Sequence, residues 1–224
     1  MKNAGKVHTI VLIAILLICN HSSYSQENSE EFLRIVRHGN IERVDSCIKA
    51  GFDVNLIDNN RYTPLMFAIW GNHFEIVKLL IEKGADINLQ TKKGGTAMNV
   101  AGGMGNLEIC KYLVDNGGNI EAADNEGKTV LMNAVYNMKN EVIPYLIEQG
   151  ANVNAKEPNG YTALMFATIL NTQESVKLLI KAGANVNELT NEGETVLQRA
   201  KKIQDAKLGD MSDVIKLLEK AGAK

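Results

Sequence analysis

The stretch Asp58–Gln90, DNNRYTPLMFAIWGNHFEIVKLLIEKGADINLQ, decides the fold. Thr63 suits a helix N-cap, because its hydroxyl can accept from the free backbone N–H groups of a first turn. Pro64 follows at the first helical position, where its missing N–H costs nothing. Leu65 and Ala68 then share one face of a short helix. Gly71-Asn72 supplies residues that tolerate positive φ, which makes a tight turn. A second helix carries Ile76, Val77, Leu79 and Leu80 on one stripe, with Glu75, Lys78 and Glu82 outward. Gly84 ends it in the left-handed C-terminal position, and Asp86-Ile87-Asn88 runs extended into the next turn.

The same unit recurs. Thr63, Thr96, Thr129, Thr162 and Thr195 are spaced by 33 residues, as are Gly51, Gly84, Gly117, Gly150 and Gly183. Ala68, Ala101, Ala134, Ala167 and Ala200 form a third ladder, at places where a neighbouring helix comes too close for a larger side chain. Ladders in one register signify an array of stacked supersecondary units. The boundaries fall near 28–57, 58–90, 91–123, 124–156, 157–189 and 190–224.

Helix, turn, antiparallel helix and hairpin-like loop in this period resemble the ankyrin repeat. The matching residues are Thr63-Pro64-Leu65, Ala68, Val77, Leu79-Leu80, Gly84-Ala85-Asp86 and Asn88, and the likeness spans Glu31 to Lys224. The resemblance implies an all-α solenoid of stacked helix-turn-helix units joined by hairpin-like loops, about six repeats including two caps. Departures are informative. Where the family usually has a loop-linking His, the chain has Met66, Asn99, Met132, Met165 and Gln198, so apolar packing replaces part of that network. Arg61 stands where Gly94, Gly127, Gly160 and Gly193 turn the loop, which predicts a distorted first loop. Pro144 is expected in the first turn of its helix, where proline is tolerated.

The first unit lacks the threonine entry, and the last runs six residues over the period near Lys201–Gly209, lengthening its first helix or its turn. Polar ends suit an array: Arg34, Arg37, Glu42 and Arg43 at one, Lys216, Glu219, Lys220 and Lys224 at the other.

Met1–Ser25 contains no acidic residue; Lys2 and Lys6 precede the apolar run Ile10–Cys19, then Ser23 and Ser25. This pattern is that of a secretory signal peptide cut between Ser25 and Gln26. A spanning helix needs about 20 apolar residues, so no stable membrane anchor is expected after cleavage. The predicted destination is secreted or periplasmic. Removing the leader takes two of the 24 basic residues and none of the 26 acidic ones, leaving a formal charge of −4. Mild acidity gives no reason to expect nucleic acid, whose binding rests on basic contacts to phosphate.

Cys47 and Cys110 sit in second-helix stripes two units apart, about 20 Å by helix-packing distances, too far for a disulfide, which needs under about 7 Å. Both read as buried free thiols. His38 and His73 lie at inter-helix turns without metal-ligand spacing and suit capping or solvent roles. Asp86, Asp124, Asn152, Asn154, Asn185 and Asn187 resemble a calcium ladder but suit turn closure better. No phosphate loop and no nucleophile–base constellation is present. The chain reads as a non-enzyme with no cofactor and no metal.

In the resembled family, partners contact loop tips and the inner face of the first helices. Those columns hold Tyr62, Lys128 and Tyr161 just before the threonines, and Trp70, Tyr136 and Ile169 seven residues after. Met104 and Leu170 lie in the next column. Exposed aromatics and Met are the usual material of binding hot spots. These eight residues are the expected contacts of a protein or peptide partner in a concave groove. Two other readings stay open: a dedicated inhibitor or immunity-type regulator of an envelope or secreted enzyme, and a spacer without a ligand.

Overall fold

A computed structural model describes residues 22–224. The leader expected at Met1–Ser25 lies outside the described residues except for its last four positions, which run in the backbone of α1. Among the described residues there are twelve helices and no regular strand, only isolated bridges at Ala123–Thr129 and Leu189–Thr195. They fall into two compact units, one ending at Thr91 and one beginning at Lys92.

The first unit contains α1 (Ser22–Arg37), α2 (Ile41–Lys49), α3 (Pro64–Trp70) and α4 (Phe74–Glu82). The second contains α5 (Ala97–Met104), α6 (Leu107–Asp115), α7 (Val130–Tyr136), α8 (Val142–Glu148), α9 (Ala163–Ile169), α10 (Gln173–Lys181), α11 (Val196–Asp205) and α12 (Ser212–Lys220). Helices pair as hairpins, and hairpins stack through like helices: α1 on α3 in the first unit, α5 on α7 on α9 on α11 in the second.

The threonine ladder caps as expected. Thr63, Thr129, Thr162 and Thr195 hydroxyls accept from Met66, Met132, Met165 and Gln198 N–H at 3.3, 3.2, 3.4 and 3.3 Å. At Thr96 the partner is a side chain: Asn99 Oδ1 accepts from the Thr96 N–H at 3.0 Å, and Asn99 Nδ2 donates to the Ala122 carbonyl at 3.0 Å. Asn99 therefore links helix to loop by hydrogen bonds, while Met66, Met132 and Met165 are packed into the core. All five ladder alanines are 0 % exposed, which leaves no space for a larger residue between stacked first helices.

Arg61 does not distort its loop. It takes φ 63°, close to the 73° of Gly127, and both loops close with the same bonds. Asp58 N–H donates to Tyr62 O at 3.0 Å and Arg61 N–H to Asp58 O at 2.9 Å; the Asp124–Lys128 and Gly127–Asp124 pairs measure 3.1 and 2.8 Å. Arg61 Nε also reaches the Gln90 carbonyl at 3.2 Å, a contact glycine lacks and one that offsets part of the left-handed strain.

The asparagine and aspartate ladder is spent on turns. Asp86, Asp124, Asn152 and Asn185 each accept the N–H two residues on, at 2.8 to 3.0 Å. Asn154 ties one loop to the next, donating to Gly183 O at 3.2 Å and accepting from Asn185 N–H at 2.7 Å. Pro144 is the third residue of α8, among the N–H positions a helix leaves unpaired. The long last unit uses both routes: α11 has 10 residues where α9 has 7, and the rest form the turn before Met211. Cys47 and Cys110 are buried and free.

Candidate binding surfaces

In the first unit, α3 carries an aromatic cluster. Trp70 meets Tyr62 edge-on with centroids 4.6 Å apart and Phe67 at 5.4 Å; Tyr62 and Phe67 are 6.3 Å apart. All three are half-buried. Each ring shields another, so Trp70 is one wall of a cluster and not a lone exposed ring. Beside Phe67 opens a hollow of about 1070 Å³ between the end of α1 (Leu33, Arg34, Arg37, His38) and the loop Ile57–Asn60. Glu31 binds Arg34 at 2.7 Å, and that hydrogen bond holds the Glu31 carboxyl below the usual carboxylate range. His38 Nδ1 lies 2.6 Å from the Arg34 carbonyl, and His73 Nε2 2.9 Å from that of Arg37. The His38 ring caps the end of its own helix, whereas the His73 ring makes no cap bond and instead links its turn to the end of α1.

The second unit presents the broader surface. Met104, Tyr136 and Ile169 are 45, 51 and 38 % exposed, while Lys128, Tyr161 and Leu170 are half-buried. Leu170 is the C-cap of α9. Phe166 joins the two tyrosines, 6.1 Å from Tyr136 edge-to-face and 5.8 Å from Tyr161. Lys128 Nζ lies 5.3 Å over the Tyr136 ring and 2.9 Å from Glu126. The hydrogen bond between them lowers the Glu126 pKa and raises that of Lys128. Arg199 lies 5.8 Å from the Tyr161 ring and donates to its hydroxyl. Buried Glu194 holds Arg199 Nε at 2.8 Å and Lys202 Nζ at 2.7 Å. These atoms are close but poorly aligned, so the contacts are ion pairs and not full hydrogen bonds. Between the loops and α9 lies a slot of about 440 Å³ walled by Lys128, Pro158, Tyr161 and Phe166, with Glu126, Glu157 and Asn159 at its polar side.

Phe67 and Phe166 were not among the sequence-predicted contacts. They stand four residues after the threonine, in a column that otherwise holds Val100, Asn133 and Arg199. Its irregular identity hides it. The available signal was helical spacing: Phe67 is three residues from Trp70 and so shares its face.

The ankyrin-repeat family profile with three copies matches residues 83–157 and 154–224, and the profile with many copies matches 48–101. The chain belongs to the ankyrin-repeat family. No curated protein matches its sequence. Ankyrin repeats serve as protein–protein interaction modules and are generally non-enzymatic, and both surfaces have the character of binding material: rings, Met and Ile around a slot. Among the described residues no helix is long and apolar enough to cross a membrane.

Proposed function

We propose that this ankyrin-repeat chain is an exported, non-enzymatic module that captures a protein or peptide on the inner face of its first helices. One observation carries the reading. Met104, Tyr136 and Ile169 remain exposed in the columns where the fold presents its first helices, around a ring ladder with an open slot. Closely packed, buried core residues such as Leu131, Met132, Ala134 and Ala167 surround them. Large exposed apolar groups gathered on one face mark interaction sites.

Export rests on the residue pattern of Met1–Ser25, and the N-terminal sequence of the protein recovered from envelope or culture fractions tests it; a start at Gln26 is expected. Binding is tested by affinity capture from those fractions, with the unaltered chain and with Met104→Ala/Tyr136→Ala. A partner lost by the folded double variant supports the surface; one held at full affinity removes it. An inhibitor role is a special case, in which the captured partner is an enzyme that loses activity on stoichiometric addition.

A further inference from the structure

The second unit has a polarised chemistry that narrows its partner, granted the binding role just proposed. α5, α7 and α9 contain no charged residue, so their exposed surface carries no formal charge. Charge arrives from the loops. Lys92 and Lys93 are exposed and form no ion pair among the described residues. Their carbonyls accept from Asn125 Nδ2 at 2.9 Å and Asn125 N–H at 2.8 Å, which fixes this lysine loop beside the next. There Lys128 stands against Glu126, and Lys93 adds to the positive field on the same carboxylate.

Apart from the exposed Glu126, the nearby carboxylates have most of their acceptor sites occupied from within the chain. Asp124 Oδ1 accepts two backbone N–H groups at 2.9 Å. Glu157 is buried, with Oε1 taken by Asn159 and Tyr161 N–H and Oε2 by Asn159 Nδ2. Glu194 is buried between Arg199 and Lys202. The exposed Glu192 belongs to the last loop, at the far end of the row. What this end of the surface still presents is the exposed ammonium groups of Lys92 and Lys93, with the exposed Glu126 carboxylate committed to Lys128 and rings beside them. The slot next to Lys128 is walled by Tyr161, Phe166 and Pro158 and suits one apolar side chain.

We infer that the second unit binds an acidic peptide segment, whose carboxylates meet Lys92 and Lys93 while a neighbouring aromatic or aliphatic side chain enters the Phe166 slot. Charge complementarity sets the sign of the partner on a chain that is itself net acidic. A nucleic acid needs a longer row of phosphate contacts than one lysine cluster provides.

The test measures anisotropy of labelled short peptides on the full-length chain. One peptide carries Asp and Glu around a Phe-Leu pair; others replace the acids by Gln, the acids by Lys, or the Phe-Leu by Gly-Gly. Oligothymidylate is the nucleic-acid probe. The acidic Phe-Leu peptide is expected to bind, and the Gln, Lys and Gly-Gly forms to bind about tenfold weaker or worse, with affinity falling as salt rises. Lys92→Glu/Lys93→Glu alters exposed side chains only, leaves the circular dichroism unchanged, and lowers the acidic peptide's affinity by about tenfold. Phe166→Leu, which keeps the fold, weakens the Phe-Leu peptide but not the Gly-Gly one. Equal binding of acidic and basic peptides, no peptide binding, tighter binding of oligothymidylate, or indifference to the lysine reversal overturns the inference. A captured protein that depends on Tyr136 but not on Lys92 and Lys93 also overturns it while leaving the broader binding role intact; one indifferent to Tyr136 removes that role.

Discussion

Ala134→Leu probes how tightly the first helices stack. Ala134 is 0 % exposed and belongs to α7, which packs against α5 on one side and α9 on the other. Leu adds three carbons where the neighbouring ladder positions, Ala101 and Ala167, are equally closed. Overpacking of this kind costs about 1–3 kcal/mol, because rotamers and backbone must shift to admit the carbons. For a chain of this size about 2–4 °C of Tm is lost per kcal/mol, so a fall of about 2–12 °C is expected. Thermal and urea unfolding followed by circular dichroism read it, with Ala123→Leu at an exposed position as the control, expected within about 1 °C. An Ala134→Leu variant as stable as its parent would refute close helix stacking at this ladder.

Other consequences are as direct. Gly150→Ala is expected to lose about 1 kcal/mol through backbone strain alone, since its φ is 90° and nothing lies within 4 Å of the added carbon; urea midpoints measure it, and no loss contradicts the left-handed cap. Gly102→Ala should cost more, about 2 kcal/mol or above, because its Cβ would meet Val130 Cγ1 at 2.6 Å. Cys110 is buried, and desolvation pushes its thiol up to about 12. The unfolded thiol titrates near 8.5, so above that pH the unfolded chain releases a proton the native one keeps. The Cys110 contribution to stability is therefore whole below about pH 8 and declines toward pH 12, by up to about 1.4 kcal/mol per unit. Cys110→Ala should flatten that alkaline slope; an unchanged slope contradicts a neutral buried thiol.

The repeat period was legible because it comes from backbone needs that few residue types meet. A threonine at each N-cap, an alanine between helices and a glycine past each second helix announce themselves by identity. Arg61 was misread for the same reason: it takes the left-handed loop conformation without being glycine, helped by its reach to Gln90 O. Asn99 keeps a helix-to-loop bond where only lost His was visible in sequence. Surface residues were legible in part. Met104, Tyr136 and Ile169 are exposed as their columns predict, whereas Trp70 shares its faces with Tyr62 and Phe67. Ring-to-ring packing depends on rotamers and on neighbours 30 residues away, such as Phe166 beside Tyr136, and the sequence period does not encode it.

Backbone hydrogen exchange of the chain with and without its captured partner tests the binding account most directly. Protection is predicted over the loop and first-helix segments that carry Lys128, Tyr136, Tyr161 and Phe166, with α6, α8 and α10 unchanged. Protection confined to α6, α8 and α10 would place the partner on the opposite helices and contradict it.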